Sequence, residues 1–176
     1  MATTHKNLTE AEIRVVGAEL LEAWNTHDIE AILEHLHPEV VWTDPTLPEP
    51  VHGKEAVRKE LKNNFTAFPD FHLPVEDFEL YVDTKTQSGV STWSFTGTMT
   101  GPLDIGVPAT GRSVRVRGAN QARYRDGLIS EFTQYYDSYE VMQQMGMLPK
   151  ATSLGFKALV LADVMAGKAM KVLARH

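Results

Sequence analysis

The chain has 176 residues, a net charge of −6, 43% apolar and 23% charged residues, and no cysteine. That length suits one domain with a sizeable core, and the acidic balance argues against general nucleic-acid binding, which needs basic surface against phosphates. Without cysteine there is no disulfide framework, thiolate nucleophile or Cys-ligated zinc.

In chain order, Thr9-Glu10-Ala11-Glu12 is a capping-box signature, and Ile13, Val16, Leu20 and Trp24 follow at helical spacing. Asn25-Thr26-His27-Asp28 breaks that helix, and Asp28 caps a shorter one through Leu36. Pro38 opens a strand, Glu39 to Thr43, which Asp44-Pro45 terminates. After Gly53, Lys54 to Phe65 reads as an amphipathic helix with Val57, Leu61 and Phe65 inward. From Phe71 the period changes to two, predicting strands near 71–82, 88–100, 112–125 and 128–137. Asp137-Ser138-Tyr139-Glu140 is another capped helix start, ending at Gly146.

Thr152 to His176 reads as a further helix with one apolar stripe (Leu154, Ala158, Leu161, Met165, Val172) and one basic stripe. Packing on its own domain or on a second subunit is the expected role. Contact with an acidic partner or a membrane surface is the alternative. No run is long and apolar enough to span a bilayer and no apolar leader is visible, so a cytoplasmic protein is expected.

The hairpin at 112–137 carries the chemistry. Asp126-Gly127 is its turn, and two registers compete. A three-residue loop, Arg125-Asp126-Gly127, groups Val114, Val116, Gly118, Asn120, Ala122 and Tyr124 with Leu128, Ser130, Phe132, Gln134 and Tyr136 on one covered face. It sets Arg115 opposite Asp137, Arg117 opposite Tyr135 and Gln121 opposite Glu131, and makes Asn120 and Gln134 diagonal neighbours. Two amides on a covered face need partners, since an unsatisfied one costs about 1–3 kcal/mol. A ligand in a cavity supplies them, or else Ser130, Tyr136 or a buried water does.

Other candidates carry ordinary roles. Asp137 is first a helix cap and surface partner, and Asp44 first a turn residue before proline, although either carboxyl is able to act as acid or base. His27, His35, His37, His52 and His72 show no metal-ligand spacing, so no metal site is expected. Trp24, Thr43, Phe95, Met99 and Phe132 are expected as substrate-binding walls, and Met142, Met145 and Met147 as filler of irregular space.

Helices followed by long antiparallel strands indicate an α+β class, a curved sheet closing a cone over its helices. At this point the chain resembles the SnoaL-like polyketide cyclase family of the nuclear-transport-factor-2-like superfamily. The matching pieces are Trp24-Asn25 with Asp28, Thr43-Asp44-Pro45, and His52-Gly53-Lys54-Glu55-Ala56-Val57. Phe68-Pro69-Asp70, Gly97-Thr98-Met99-Thr100-Gly101, Pro108-Ala109-Thr110-Gly111-Arg112 and Gln144-Met145-Gly146-Met147-Leu148-Pro149 continue the series. The resemblance covers residues 8–149, leaving 150–176 as a C-terminal helical extension.

The resemblance implies a cone-shaped, strongly curved antiparallel or mixed sheet around N-terminal helices, with the extra C-terminal helix added. It also implies no cofactor, and acid–base chemistry on a hydrophobic cyclic, polyketide-like small molecule; a homodimer through the outer sheet face is expected as well. The family's catalytic acid and its helper histidine map to Gln134 and Asn120. Amides do not titrate near neutral pH but can hold a carbonyl or enolate oxygen, leaving proton transfer to Tyr136 or a bound water. Thr43 and Met99 likewise stand where the family often has histidine. The second reading is a non-catalytic ligand-binding or assembly module that kept the pocket and lost the acid–base pair.

Overall fold

The computed structural model describes residues 6–104, 106–149 and 152–173. Helix α1 (Glu10–Asn25) begins with the anticipated capping box, Thr9 and Glu12 exchanging side-chain to backbone bonds. Asp28 caps α2 (Ile29–Glu34) by accepting from the Ala31 amide, and the chain then enters β1 (Leu36–Thr43). This strand begins three residues earlier than the sequence predicts. Pro38 sits in an irregular stretch between Leu36 and Val41, where no ladder bond needs its missing N–H.

The two-residue strand β2 (Val51–His52) leads into α3 (Lys54–Ala67), whose buried face carries Val57 and Leu61. Strands β3 (Glu79–Asp83), β4 (Ser88–Thr98), β5 (Ser113–Arg125) and β6 (Leu128–Tyr136) follow. The strand expected over 71–82 is thus shorter. Pro74 starts a 3-10 turn over Val75–Asp77, and upstream only His72 pairs, exchanging two 2.9 Å bonds with Thr96. The Asp77 carboxylate is drawn off by the Ser94 hydroxyl and by Arg115 at 3.2 Å.

The six strands lie in the order β2-β1-β6-β5-β4-β3, with β1 and β6 parallel and every other pair antiparallel. One face of this mixed, curved sheet is covered by α1 to α3, and the core lies between them. Helix α4 (Ser138–Gln144) starts at Asp137, whose side chain accepts from the Glu140 amide, so the capping reading of that aspartate holds. Helix α5 (Leu154–Leu173) touches the body through Phe156, its ring edge-on to Tyr139 at 6.4 Å. Its stripe residues Leu154, Leu161 and Met165 are 82%, 63% and 58% exposed, so the expected stripe does not pack on its own domain. Val172 and the basic residues beyond 165 lie outside the described side chains.

The hairpin corrects the expected register and keeps the expected faces for Val114 to Tyr124 and for Phe132 to Tyr136, but not for Leu128 and Ser130, whose expected place on the covered face is taken by Ile129. The loop is two residues, Asp126 and Gly127, with φ of 55° and 81°, the left-handed pair of a type I′ turn. Arg125 pairs with Leu128 and Tyr124 with Ile129, but Arg123 pairs with Glu131, leaving Ser130 as a bulge. That extra residue restores the parity of the three-residue reading, now with Asn120 directly opposite Gln134. The expected outer pairs change accordingly: Arg115 meets Asp77 rather than Asp137, Arg117 does not face Tyr135, and Glu131 meets Arg123 at 3.3 Å rather than Gln121. Ile129, left off the covered face by the sequence reading, is fully buried.

Candidate functional site

Between the curved sheet and the helices lies a cavity of about 580 Å³. Its apolar walls include Trp24 from α1, Trp42 stacked on Phe132 at 4.3 Å, and Phe71 stacked on Phe95 at 4.8 Å. Met142, Met145 and Met147 close part of it with flexible thioethers.

Across this lining runs one polar row set by strand register. Ser91 on β4 pairs with Asn120 on β5, and Asn120 pairs with Gln134 on β6. Thr43 of β1 pairs with Thr133, so Asp44, one residue on, continues the row beside Gln134. All four residues line the cavity. The next row is Trp93, Gly118 and Tyr136, and the row on the other side is Gly89, Ala122 and Phe132. Period-two alternation explains the clustering, because every member occupies the same parity of its strand.

Several of these polar groups are without protein partners. The Asn120 side-chain oxygen and the Trp93 indole nitrogen are buried with no hydrogen bond. Among the described residues, neither the Ser91 hydroxyl nor the Gln134 amide has a hydrogen-bond partner either. Such groups are uncommon in folded proteins and costly to leave unmet. Trp93 packs closely on Gly118: an added Cβ there would stand 2.5 Å from the ring and 2.7 Å from the Tyr135 carbonyl oxygen.

Tyr136, by contrast, is engaged. Its hydroxyl donates to Asp44 Oδ1 at 2.8 Å. Burial, reinforced by the Asp44 charge, holds the phenol well above the ordinary tyrosine range, so it stays protonated. Thr46 also donates to the same Oδ1, from its amide at 2.7 Å and its hydroxyl at 2.5 Å. Three donors therefore orient one carboxylate oxygen, and Oδ2 has no hydrogen-bond partner among the described residues. Glu60 of α3 is a second carboxyl on the cavity wall. Partial burial raises its pKa above the usual carboxylate range, assisted by Asp104 and Asp44 and opposed by Lys59.

Of the residues expected from sequence, Asn120, Gln134, Tyr136, Trp24, Phe95 and Phe132 line the cavity together. Thr43 and Met99 do not: Thr43 alternates away between Trp42 and Asp44, and Met99 is fully buried, its sulfur 3.7 Å from the Thr110 hydroxyl. Sequence alone does not single out Ser91, Trp93 or Glu60 as site residues, and it gives Asp44 first as a turn residue. The alternation of β4 would have placed Ser91 and Trp93 on the covered face, and Glu60 borders the Val57–Leu61 stripe. Only the fold brings Asp44 to Tyr136.

Residues 14–145 match the family model for SnoaL-like polyketide cyclase. The chain belongs to that family. The SnoaL-like fold recurs in TsrD from Streptomyces laurentii, 26% identical, with a TM-score of 0.68 over 80% of this chain and 99% of that one. AclR from Streptomyces galilaeus is 23% identical, with a TM-score of 0.67 over 96% of this chain and 99% of its own. An NTF2-like protein from Burkholderia pseudomallei is 20% identical, with a TM-score of 0.63 over 78% and 98% respectively. These last two likenesses speak to the fold alone. A comparison with curated proteins returned no match.

Proposed function

We propose that the protein is a cofactor-independent enzyme that binds a hydrophobic, cyclic, polyketide-like small molecule in this cavity and moves protons next to its carbonyl groups. The observation that carries this reading is the polar row, Asn120 and Gln134 leading to the Asp44–Tyr136 pair, set among the aromatic and aliphatic walls of a mainly apolar cavity. Asp44 Oδ2 takes the proton from a carbon next to a carbonyl, and the electron pair moves to the carbonyl oxygen. The side-chain amides of Asn120 and Gln134 donate to that oxygen as charge develops. The enolate carbon then adds to a second carbonyl of the same molecule, and the resulting alkoxide recovers the proton from Asp44. One carbon–carbon bond forms, no atom is lost, and no oxidant is required. Tyr136 acts as an orienting donor, since its elevated pKa disfavours ionisation.

The catalytic unit in this reading spans residues 8–149, acting in the cytoplasm as a homodimer. The outer sheet face supports that assembly, with Tyr81, Val90 and Tyr135 exposed there. Among the described residues, no helix is long and apolar enough to cross a membrane.

A second reading, a binding module without turnover, is favoured by one fact: amides occupy the two positions mapped to the family's acid–base pair. The test screens aromatic polyketides and terpenoids for thermal stabilisation, then assays turnover of each binder in wild type, Asp44→Asn, Asn120→Ala and Gln134→Ala. The enzyme reading expects turnover that Asp44→Asn removes without removing binding. Tight binding with no turnover by wild type rejects it in favour of the binding module.

A further inference from the structure

We infer that Ser91, Asn120 and Gln134 act together as a spacing gauge selecting ligands that carry oxygens on alternate carbons of a ring, and that Ser91 is a specificity-determining residue. This rests on the cavity being a small-molecule site, as proposed above, and specifies which small molecules it favours.

The three side chains come from three adjacent strands and are in direct register, Ser91 opposite Asn120 and Asn120 opposite Gln134. Neighbouring strands lie about 4.7–4.9 Å apart, so the row repeats its polar groups at that interval. Oxygens in a meta relationship on a six-membered ring are separated by about the same interval. Ortho oxygens are much closer together, and para oxygens lie farther apart on opposite sides of the ring. A planar ring with its oxygenated edge along the row therefore places one oxygen before each of two neighbouring strands only when the substitution is meta.

The chemistry at each position completes the argument. The Asn120 side-chain amide, whose buried oxygen has no protein donor, both donates and accepts, so it takes a hydroxyl or a carbonyl. The Ser91 hydroxyl and the Gln134 amide each donate and accept, so either accommodates a hydroxyl or a carbonyl beside it. One row away, the Trp93 indole nitrogen is a further buried donor with no protein partner, on a side chain 8% exposed. Phe132, one row away on one side, and Phe95, two rows away on the other, supply apolar wall for the rings.

The probes are the naphthalenediols, whose meta, ortho and para isomers share one composition and nearly one hydrophobicity. Calorimetric titration of the full chain is expected to show the meta isomer binding about tenfold more tightly than the others, the worth of one well-made hydrogen bond. Ser91→Ala should remove most of that preference while leaving the affinity for unsubstituted naphthalene unchanged. Equal binding of all three isomers overturns the spacing inference but leaves the cavity a binding site. Binding of no isomer, and of no naphthalene, overturns both. A meta preference that survives Ser91→Ala removes Ser91 from the gauge.

Discussion

The Tyr136 hydroxyl donates to Asp44 Oδ1 at 2.8 Å, tying the end of the last strand to the turn after the first, 92 residues away in sequence. This bond turns a proline-flanked turn aspartate into a wall of the cavity. Replacing Tyr136 by Phe keeps the ring packed edge-on to Trp93 and deletes only the donor. Loss of one hydrogen bond to a carboxylate costs about 1.5–3 kcal/mol, read by urea unfolding. Under the proposed mechanism turnover falls more than ligand affinity does. A Tyr136→Phe variant with full turnover would show that the phenol does not orient the carboxylate.

Alkaline titration tests the buried phenols. Burial pushes Tyr124 up to about 12, and Tyr136 is raised by burial and by Asp44. A phenol whose pKa is raised by folding contributes stability that is complete below about pH 10, its unfolded value. For Tyr124 that contribution is lost as pH rises from there through about 12. Ultraviolet titration of the native protein should show two of its five tyrosines ionising late, together with unfolding. Tyrosines that all ionise near pH 10 in a still-folded protein would contradict this.

Gly118→Ala should be severe for a residue with no side chain of its own. The new methyl would meet Trp93 at 2.5 Å and the Tyr135 carbonyl at 2.7 Å, so the indole must swing into the cavity or the strand must shift. Overpacking of this kind costs about 1–3 kcal/mol. Ligand affinity should fall together with melting temperature. A variant of unchanged melting temperature and affinity would mean that Trp93 has room to yield.

Truncation after Pro149 tests the independence of the last helix. Leu154, Leu161 and Met165 are largely exposed, and Phe156 is the residue that meets a ring of the body. The shortened protein is expected to unfold cooperatively within a few degrees of the full chain, by differential scanning calorimetry, and to bind the same ligands. Loss of cooperative unfolding would mean that α5 is part of the core.

Within the hairpin, the physical origin of what the sequence can and cannot reveal is visible. Alternation alone separates Asn120, Gln134 and Tyr136 from Arg115, Arg123 and Glu131, because a half-buried strand repeats every two residues. The Asp126-Gly127 loop and the Ser130 bulge change the register by two without changing that parity. The face was therefore legible although the pairing was not. Thr43 is expected in the pocket only because it stands where the family often has histidine, and strand alternation instead gives the cavity its neighbours Trp42 and Asp44.

The α+β class, the capped starts at Thr9, Asp28 and Asp137, and the covered face that holds the two amides are all written in the chain itself. These depend on local signals: periodicity, capping chemistry and turn residues. The tertiary structure decided that Asn120 lies opposite Gln134, that Ser91 extends their row, and that Asp44 reaches Tyr136. Those relationships arise between strands distant along the chain, including the parallel pairing of β1 with β6, which no local pattern encodes.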